Sequence, residues 1–488
     1  MHTCDLLAID IGASSGRGIL GHFNGKTLKT TETHRFGNGP KLLSGKYYWD
    51  IIFMLDNIYQ SIALTNRDLA GIGVDTWGVD FAFLDANGVL IGNPRSYRDP
   101  AFNKQNLEET ITLMGGEKDL FSLTSVAALE YNSLCQLHSM VKNNEVSEEA
   151  KHLLMMPNLI EYFLSGIIHS EYSIISTTQL FDMRQKRWTD EIIKKLGLNE
   201  ELFSSVDYAG RKLGGLLPSV QKELGHSDTS IISVAGHDTA CAGMAVPAKD
   251  DGFAFISSGS MSLFGVETTQ IVDNNSMIKD KIGNEGTSNG DYRLTINMNG
   301  LWVINSCKQY WNQQGMNLSF DELVSLARKA KPLRCFINTA DYKNPGNYPL
   351  MIQEYCKKTN QFVPETVGEI TRCIYESLAL EYKSAYMRLK KHIKNTEELY
   401  IVGGGAKNQL LNQLTANSIG IPVITGPSEA TTVGNMVVQL EALGELSGRE
   451  QRNDLIISSF KGQVYLPEDC DMWQEAFERY SALMNNTY

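Results

Sequence analysis

Two stretches in different halves of the chain repeat one pattern. The first is an apolar run, Leu6 to Asp10, followed by Gly12-Ala13-Ser14-Ser15-Gly16 and a second apolar run over Gly18 to Gly21. The second lies between Phe253 and Gly265, where Ser257-Ser258-Gly259-Ser260 parts two apolar segments. Short apolar runs separated by Gly and Ser read as two strands joined by a tight turn. A duplicated half would produce this repeat, and so would two unrelated hairpins.

Helical and strand patterns alternate between and beyond the hairpins. Trp49 to Ala63 carries apolar residues at helical spacing, and Leu69 to Val74 reads as a buried strand. Asp80 to Leu84 and Val89 to Ile91 flank the Asn87-Gly88 turn, with further strands expected at Leu153 to Met156 and Ile231 to Ala235. The second half continues with a helix from Val367 to Leu389, a strand at Leu399 to Val402 and a helix over Leu410 to Asn417. This alternation predicts an α/β fold in which helices pack on mixed sheets. A chain of 488 residues outgrows one hydrophobic core. The Pro, Gly and charges of Val246 to Gly252 interrupt the apolar pattern, so the expected domains are 1–247 and 248–488.

A formal charge of -12 argues against a nucleic-acid partner, because binding phosphate backbones requires a basic face. The segment from Met1 to Asp10 lacks a basic leader, and no apolar run reaches membrane-spanning length; a cytoplasmic protein without a membrane partner is expected. The eight cysteines include no CxxC pair, so neither a zinc site nor a disulfide framework is indicated. Buried reduced thiols are the expectation, although Cys356 and Cys373 could meet across a loop.

Four segments mix residues that carry chemistry. Asp10 to Arg17 combines a Gly-rich turn, hydroxyl donors at Ser14 and Ser15, the Arg17 cation, and an acid at the end of a strand. Such a set suits phosphate and magnesium, and equally a plain hairpin. Asp75-Thr76-Trp77-Gly78-Val79-Asp80-Phe81 offers carboxylates and an aromatic face to a sugar, or capped carboxylates at a strand end. In Gly236-His237-Asp238-Thr239, Asp238 is placed either to accept a hydroxyl proton or to cap the following helix. Gly403-Gly404-Gly405 leaves room for an adenine ring or phosphates, or forms an ordinary loop. Gly21 to Thr27 ends like a Walker A loop but is one residue short and precedes no helix.

In order and separation, DIGASSGR, DTWGVDF, GHDTA, ISSGS and IVGGGAKN together resemble the FGGY carbohydrate kinases. YWD at Tyr48 to Asp50, YRD at Tyr97 to Asp99, LLMMP at Leu153 to Pro157, NEG at Asn284 to Gly286 and NQL at Asn412 to Leu414 are similar to the branch that phosphorylates L-rhamnulose. The resemblance implies two actin-like, ribonuclease H-like α/β domains with a nucleotide- and sugar-binding cleft between them. It implies transfer of the ATP γ-phosphoryl group to the 1-hydroxyl of a ketose, by a monomer or homodimer.

Carried over by motif, Asp238 becomes the base, and Gly78, His237, Asp238, Thr239 and Asn297 line the ketose. Ala13, Ser14, Ser15, Gly16, Arg17, Ser260, Asn305, Gly404 and Gly405 face ATP, and Asp10 serves magnesium. The chain departs from the branch's pattern at Ser260-Met261, at Asn305 and over Val126 to Tyr131. These departures leave L-fuculose or another ketose open as the substrate. A non-catalytic actin-like nucleotide switch is the alternative of another class.

Overall fold

Cys4–Ile11 pairs antiparallel with Ser15–Phe23, from Cys4 opposite Phe23 to Ile11 opposite Gly16, so the opening hairpin forms. The computed structural model describes residues 2–225, 228–250, 252–342, 346–393 and 396–485. Met1, and Asp251 in the segment read as the domain break, lie outside the described residues.

The chain divides into two units. The first comprises Met1–Asp251, Glu267–Leu294 and Ala430–Phe460, and the second Gly252–Val266, Thr295–Glu429 and Lys461–Tyr488.

In the first unit a six-stranded sheet runs in the order Arg211–Gly215, Ser230–Ser233, Leu69–Thr76, Cys4–Ile11, Ser15–Phe23, Leu28–Gly37. Leu69–Thr76 lies parallel to both Cys4–Ile11 and Ser230–Ser233, and the edges are antiparallel. Leu7, Ile9, Ile11, Ile72 and Val74 are buried with Ile58 and Ile62 of the Ile51–Ala63 helix, which Asp50 caps by accepting from the Phe53 N–H. Phe81–Leu84 instead pairs with His152–Met155 in a separate two-stranded sheet. Val89 to Ile91 contributes only a bridge from Leu90 to Leu84.

The Ala430–Leu443 helix belongs to this unit despite its place in the sequence. It crosses the sheet at two glycines: a Cβ on Gly73 would stand 2.5 Å from Asn435 Oδ1, and one on Gly71 would stand 2.8 Å from Gln439 Oε1. Its other contact is tighter still, since a Cβ on Gly434 would stand 1.7 Å from the Cys241 carbonyl oxygen.

In the second unit Ala254–Ser258 pairs antiparallel with Met261–Thr268, the second hairpin of the sequence pattern. The strand order is Gly283–Gly286, Tyr292–Asn299, Met261–Thr268, Ala254–Ser258, Leu399–Val402, Val423–Thr425, Val464–Tyr465. Ala254–Ser258, Leu399–Val402 and Val423–Thr425 are parallel neighbours. Each unit thus builds a hairpin first and adds parallel strands on one side of it. The Val367–Leu389 helix opens with a capping box between Thr366 and Glu369 and buries Ile374, Leu378 and Tyr382.

None of the eight cysteines is in a disulfide. Three that the sequence keeps far apart, Cys335, Cys356 and Cys373, are gathered in the second unit. Among the described residues, no helix is long and apolar enough to cross a membrane.

Candidate active site

Parallel strands align residues of equal register. Asp10 therefore lies opposite Arg17 on one side and Asp75 on the other, and Thr76 bridges to His237. Three of the sequence-predicted segments meet in this way at the carboxyl ends of the first unit's parallel strands, where open α/β sheets bind ligands.

Asp10 is buried, and its Oδ2 accepts from Arg17 Nε at 3.0 Å and Nη2 at 2.7 Å. Ser14 and Ser15 are exposed at the turn, Ala13 packs on the core, and Asn38 holds the turn by donating to the Gly12 carbonyl at 2.8 Å. Gly16 has a packing reason of its own, since a Cβ there would stand 2.1 Å from the Phe36 ring. Asp75 is fully buried; Oδ2 accepts from Asn435 Nδ2 at 2.7 Å, and Oδ1 has no hydrogen-bond partner among the described residues. Burial, with Asp10 and Asp238 nearby, pushes its carboxyl well above the usual range.

His237 ends the chain's approach to the Asp238–Met244 helix and occupies its N-cap position without capping it through the side chain. Asp238 is the first helical residue, so the alternative reading of it as the cap is not met. Burial raises the Asp238 carboxyl, Asp10 adds to that, and His237 opposes it. Glu171 and Ser173 fix the loop from beneath: Glu171 Oε2 accepts from the Gly236 N–H at 2.9 Å, and Ser173 Oγ from the His237 N–H at 3.3 Å. Thr239 Oγ stands 3.2 Å from both ring nitrogens of His237, and Asp238 Oδ1 stands 3.5 Å from Nε2.

Behind His237, the fully buried Arg293 donates from Nη2 to Glu285 at 2.7 Å and reaches His237 Nδ1 at 3.2 Å. Burial would raise the Glu285 carboxyl, but the His237 hydrogen bond and the Arg293 charge outweigh it and hold the group well below the usual range.

The Asp75 to Phe81 segment contains the sharpest backbone feature of the site. Val79 has φ +72°, a region that β-branched residues avoid, and Asp80 N donates to the Gly78 carbonyl at 3.0 Å across it, closing a γ-turn. Its peptide groups are clamped: the Val79 N–H donates to Thr177 Oγ1 at 3.0 Å, and its carbonyl accepts from Ser133 Oγ at 2.5 Å. Gly78 abuts the same threonine, where a Cβ would stand 3.1 Å from Thr177 Cγ2.

The turn drives Asp80 inward, where its carboxylate accepts from Trp49 Nε1 at 2.5 Å, Trp77 Nε1 at 3.0 Å and Gln136 Nε2 at 2.9 Å. Burial still lifts its carboxyl to about 6, against these hydrogen bonds. Of the two readings open in the sequence, Asp80 is thus the capped carboxylate, whereas Asp75 keeps one oxygen without a hydrogen bond. The aromatic face is larger than Trp77 alone: Trp49 lies 4.2 Å from it, and Tyr97 stands edge-on to Tyr131, at the end of the divergent Val126 to Tyr131 segment.

The second unit places another predicted group together. The hairpin turn at Gly259-Ser260 is tied to the start of the Trp302–Gln313 helix, because the Ser260 carbonyl accepts from the Gly300 and Trp302 N–H groups at 3.1 and 3.0 Å. Asn305 lies on the first turn of that helix, and Ser260 is exposed. Gly405 follows the neighbouring strand and abuts Ser258, where a Cβ would stand 2.0 Å from Oγ. A Cβ on Gly404 would meet nothing within 4 Å. Asn297 is exposed on its strand.

Sequence reasoning assigned no role to Glu171, Arg293 or Asn435 and none to Glu285 beyond its place in NEG. The one local signal was Arg293, a charge inside the alternating apolar strand Tyr292–Asn299, where an unpaired charge would be costly. Asn435 lies 360 residues from Asp75, and no spacing rule connects them.

The sequence profile of the FGGY family of carbohydrate kinases, N-terminal domain, matches residues 6–245, and that of the C-terminal domain matches residues 254–443. A rhamnulokinase of Bacteroides thetaiotaomicron is 38% identical over 480 residues, 97% of this chain and 98% of its own. One of Bacillus subtilis is 34% identical over 95% of this chain and 96% of its own. Among solved structures, gluconate kinase from Lactobacillus acidophilus superposes with TM-score 0.80 at 17% identity, covering 99% of this chain and 98% of that one. Plasmodium falciparum glycerol kinase with ADP gives 0.78 at 14% identity, covering 99% and 98%. With both family profiles matched in order along the chain and relatives alike over nearly their whole length, the chain belongs to the FGGY family of carbohydrate kinases, enzymes that phosphorylate a sugar with ATP.

Proposed function

We propose that the protein phosphorylates L-rhamnulose at its 1-hydroxyl, giving L-rhamnulose 1-phosphate and ADP, with Asp238 as general base. The observation that carries the reading is the placement of Asp238 at a strand end beside His237 and Thr239, with its carboxyl raised. A raised carboxylate is a stronger proton acceptor once ionised, which suits a hydroxyl that must lose its proton as it attacks phosphorus. The sugar's identity rests on full-length relatives called rhamnulokinase.

In this reading Asp238 accepts the 1-hydroxyl proton, the hydroxyl oxygen forms a bond to the γ-phosphorus, and the bond to the β,γ-bridging oxygen breaks to release ADP. Gly78, His237, Thr239 and Asn297 orient the ketose. Ala13 to Arg17 hold phosphate oxygens, and Ser260, Asn305, Gly404 and Gly405 hold the nucleotide. Domain 1–247 then serves mainly the sugar and the phosphates, and domain 248–488 mainly the nucleotide.

The hard oxygen donors Asp10 and Asp75, one with an unpartnered buried oxygen, fit magnesium, with Asp10 as its holder. Bound there, magnesium spreads the charge of the transferring phosphoryl group. The enzyme is taken to act in the cytoplasm as a monomer or homodimer.

A coupled ADP-release assay over a ketose panel tests the proposal. L-rhamnulose is expected to give the highest kcat/KM and to lose turnover on chelation of divalent cations. Preference for L-fuculose would overturn the sugar, and absence of any sugar-stimulated ADP release would overturn the enzyme.

A further inference from the structure

Cys335, Cys356 and Cys373 come from a loop and two different helices, yet their Sγ atoms all lie within 4.8 Å of one another. All three are buried, with relative exposures of 3%, 0% and 1%. We propose that these three thiols form a binding site for one thiophilic cation of the zinc class in the second unit.

Two observations support the site independently of its spacing. First, the loop that carries Cys335 is held in place before any ion arrives. The Leu333 N–H donates to Glu376 Oε2 at 2.8 Å, the Ile337 N–H to Ser377 Oγ at 2.9 Å, and Phe336 exchanges two hydrogen bonds with Gln361. Preorganised ligands lose little entropy on binding.

Second, a cavity of about 660 Å³ is lined by Cys335 and Cys373 and supplies an entry path and room for a water as fourth ligand.

Zinc–sulfur bonds of about 2.3 Å in a tetrahedron require sulfurs about 3.8 Å apart, so the observed separations need only a small contraction. Binding forms three S–Zn bonds and releases to solvent the protons that the thiols still carry. A site of this kind ties the 333–337 loop to the helices Tyr348–Lys358 and Val367–Leu389.

The test uses the full chain, purified under reductant and stripped with a chelator. Titration with Co(II) as a spectroscopic probe is expected to give a thiolate-to-metal charge-transfer band saturating at one ion per chain. Zn(II) should displace the Co(II) and raise the thermal midpoint. Cys335→Ser and Cys373→Ser should each lose the band, and Cys470→Ser, at an exposed cysteine, should keep it. A folded, reduced wild-type chain that shows no charge-transfer band overturns the proposal. So does a thiol count, taken without reductant, that is two short and unchanged by metal, because the pair would then be a disulfide.

Discussion

Among single residues, Asp238 and Glu285 illustrate opposite uses of a buried carboxylate. Asp238 is raised, so its ionised fraction falls on the acid side at a higher pH than for an ordinary aspartate. The acid limb of kcat/KM is therefore expected to lie above pH 3.8, read from a pH–rate profile. Asp238→Asn should lower kcat by roughly two to four orders of magnitude with little change in either KM; a variant turning over at the wild-type rate would remove Asp238 from the role. Glu285 is depressed below 4.5, so its contribution to stability is present above that pH and is lost as pH falls through the depressed value. Glu285→Gln leaves Arg293 buried beside a neutral partner and should cost about 3 kcal/mol at pH 7. Denaturant titrations should show the gap to wild type narrowing as the pH drops below 4.5. At this scale the sequence exposed the reactive residues and concealed their supports. Asp238 and His237 stand in a short polar motif, whereas Arg293 and Asn435 gain meaning only from neighbours distant in the chain.

Between elements, the decisive contact is that of the short Asp238–Met244 helix with the Ala430–Leu443 helix. The proposed base sits at the start of the first, and Gly434 lets the second approach the Cys241 carbonyl. Gly434→Ala would force the two helices apart, at a cost of about 2–3 kcal/mol, and should lower kcat through displacement of Asp238. Thermal unfolding and steady-state kinetics on the same variant check this; unchanged values in both would show that the contact is slack. Strands and long helices were readable from the sequence because each follows a single period, as in Val367–Leu389, where prediction and structure agree. The Phe81–Leu84 pairing was not readable, since a short apolar run does not say which sheet it joins. The γ-turn at Val79 was hidden as well, because nothing in a valine announces a positive φ held by Thr177 and Ser133.

At the level of the whole molecule, the two units repeat one strand plan and carry different candidate groups, which makes their contributions separable. Gly404 faces open space, so Gly404→Val is expected to raise the KM for ATP several-fold while leaving the KM for the ketose and the thermal midpoint unchanged. An equal rise in both KM values would deny the division of labour. ATP at a hundred times its Kd should stabilise the wild-type chain by about 2.7 kcal/mol, and the variant by less at the same concentration. The sequence by itself determined the α/β class, the paired hairpins and the motifs that mark a carbohydrate kinase, because periodicity and turn chemistry are local properties. Only the tertiary structure decided that Ala430–Phe460 returns to the first unit, that Asn435 meets Asp75 and that three scattered cysteines converge. Those outcomes depend on which buried surfaces find each other across hundreds of residues, and burial is a property of the packed chain.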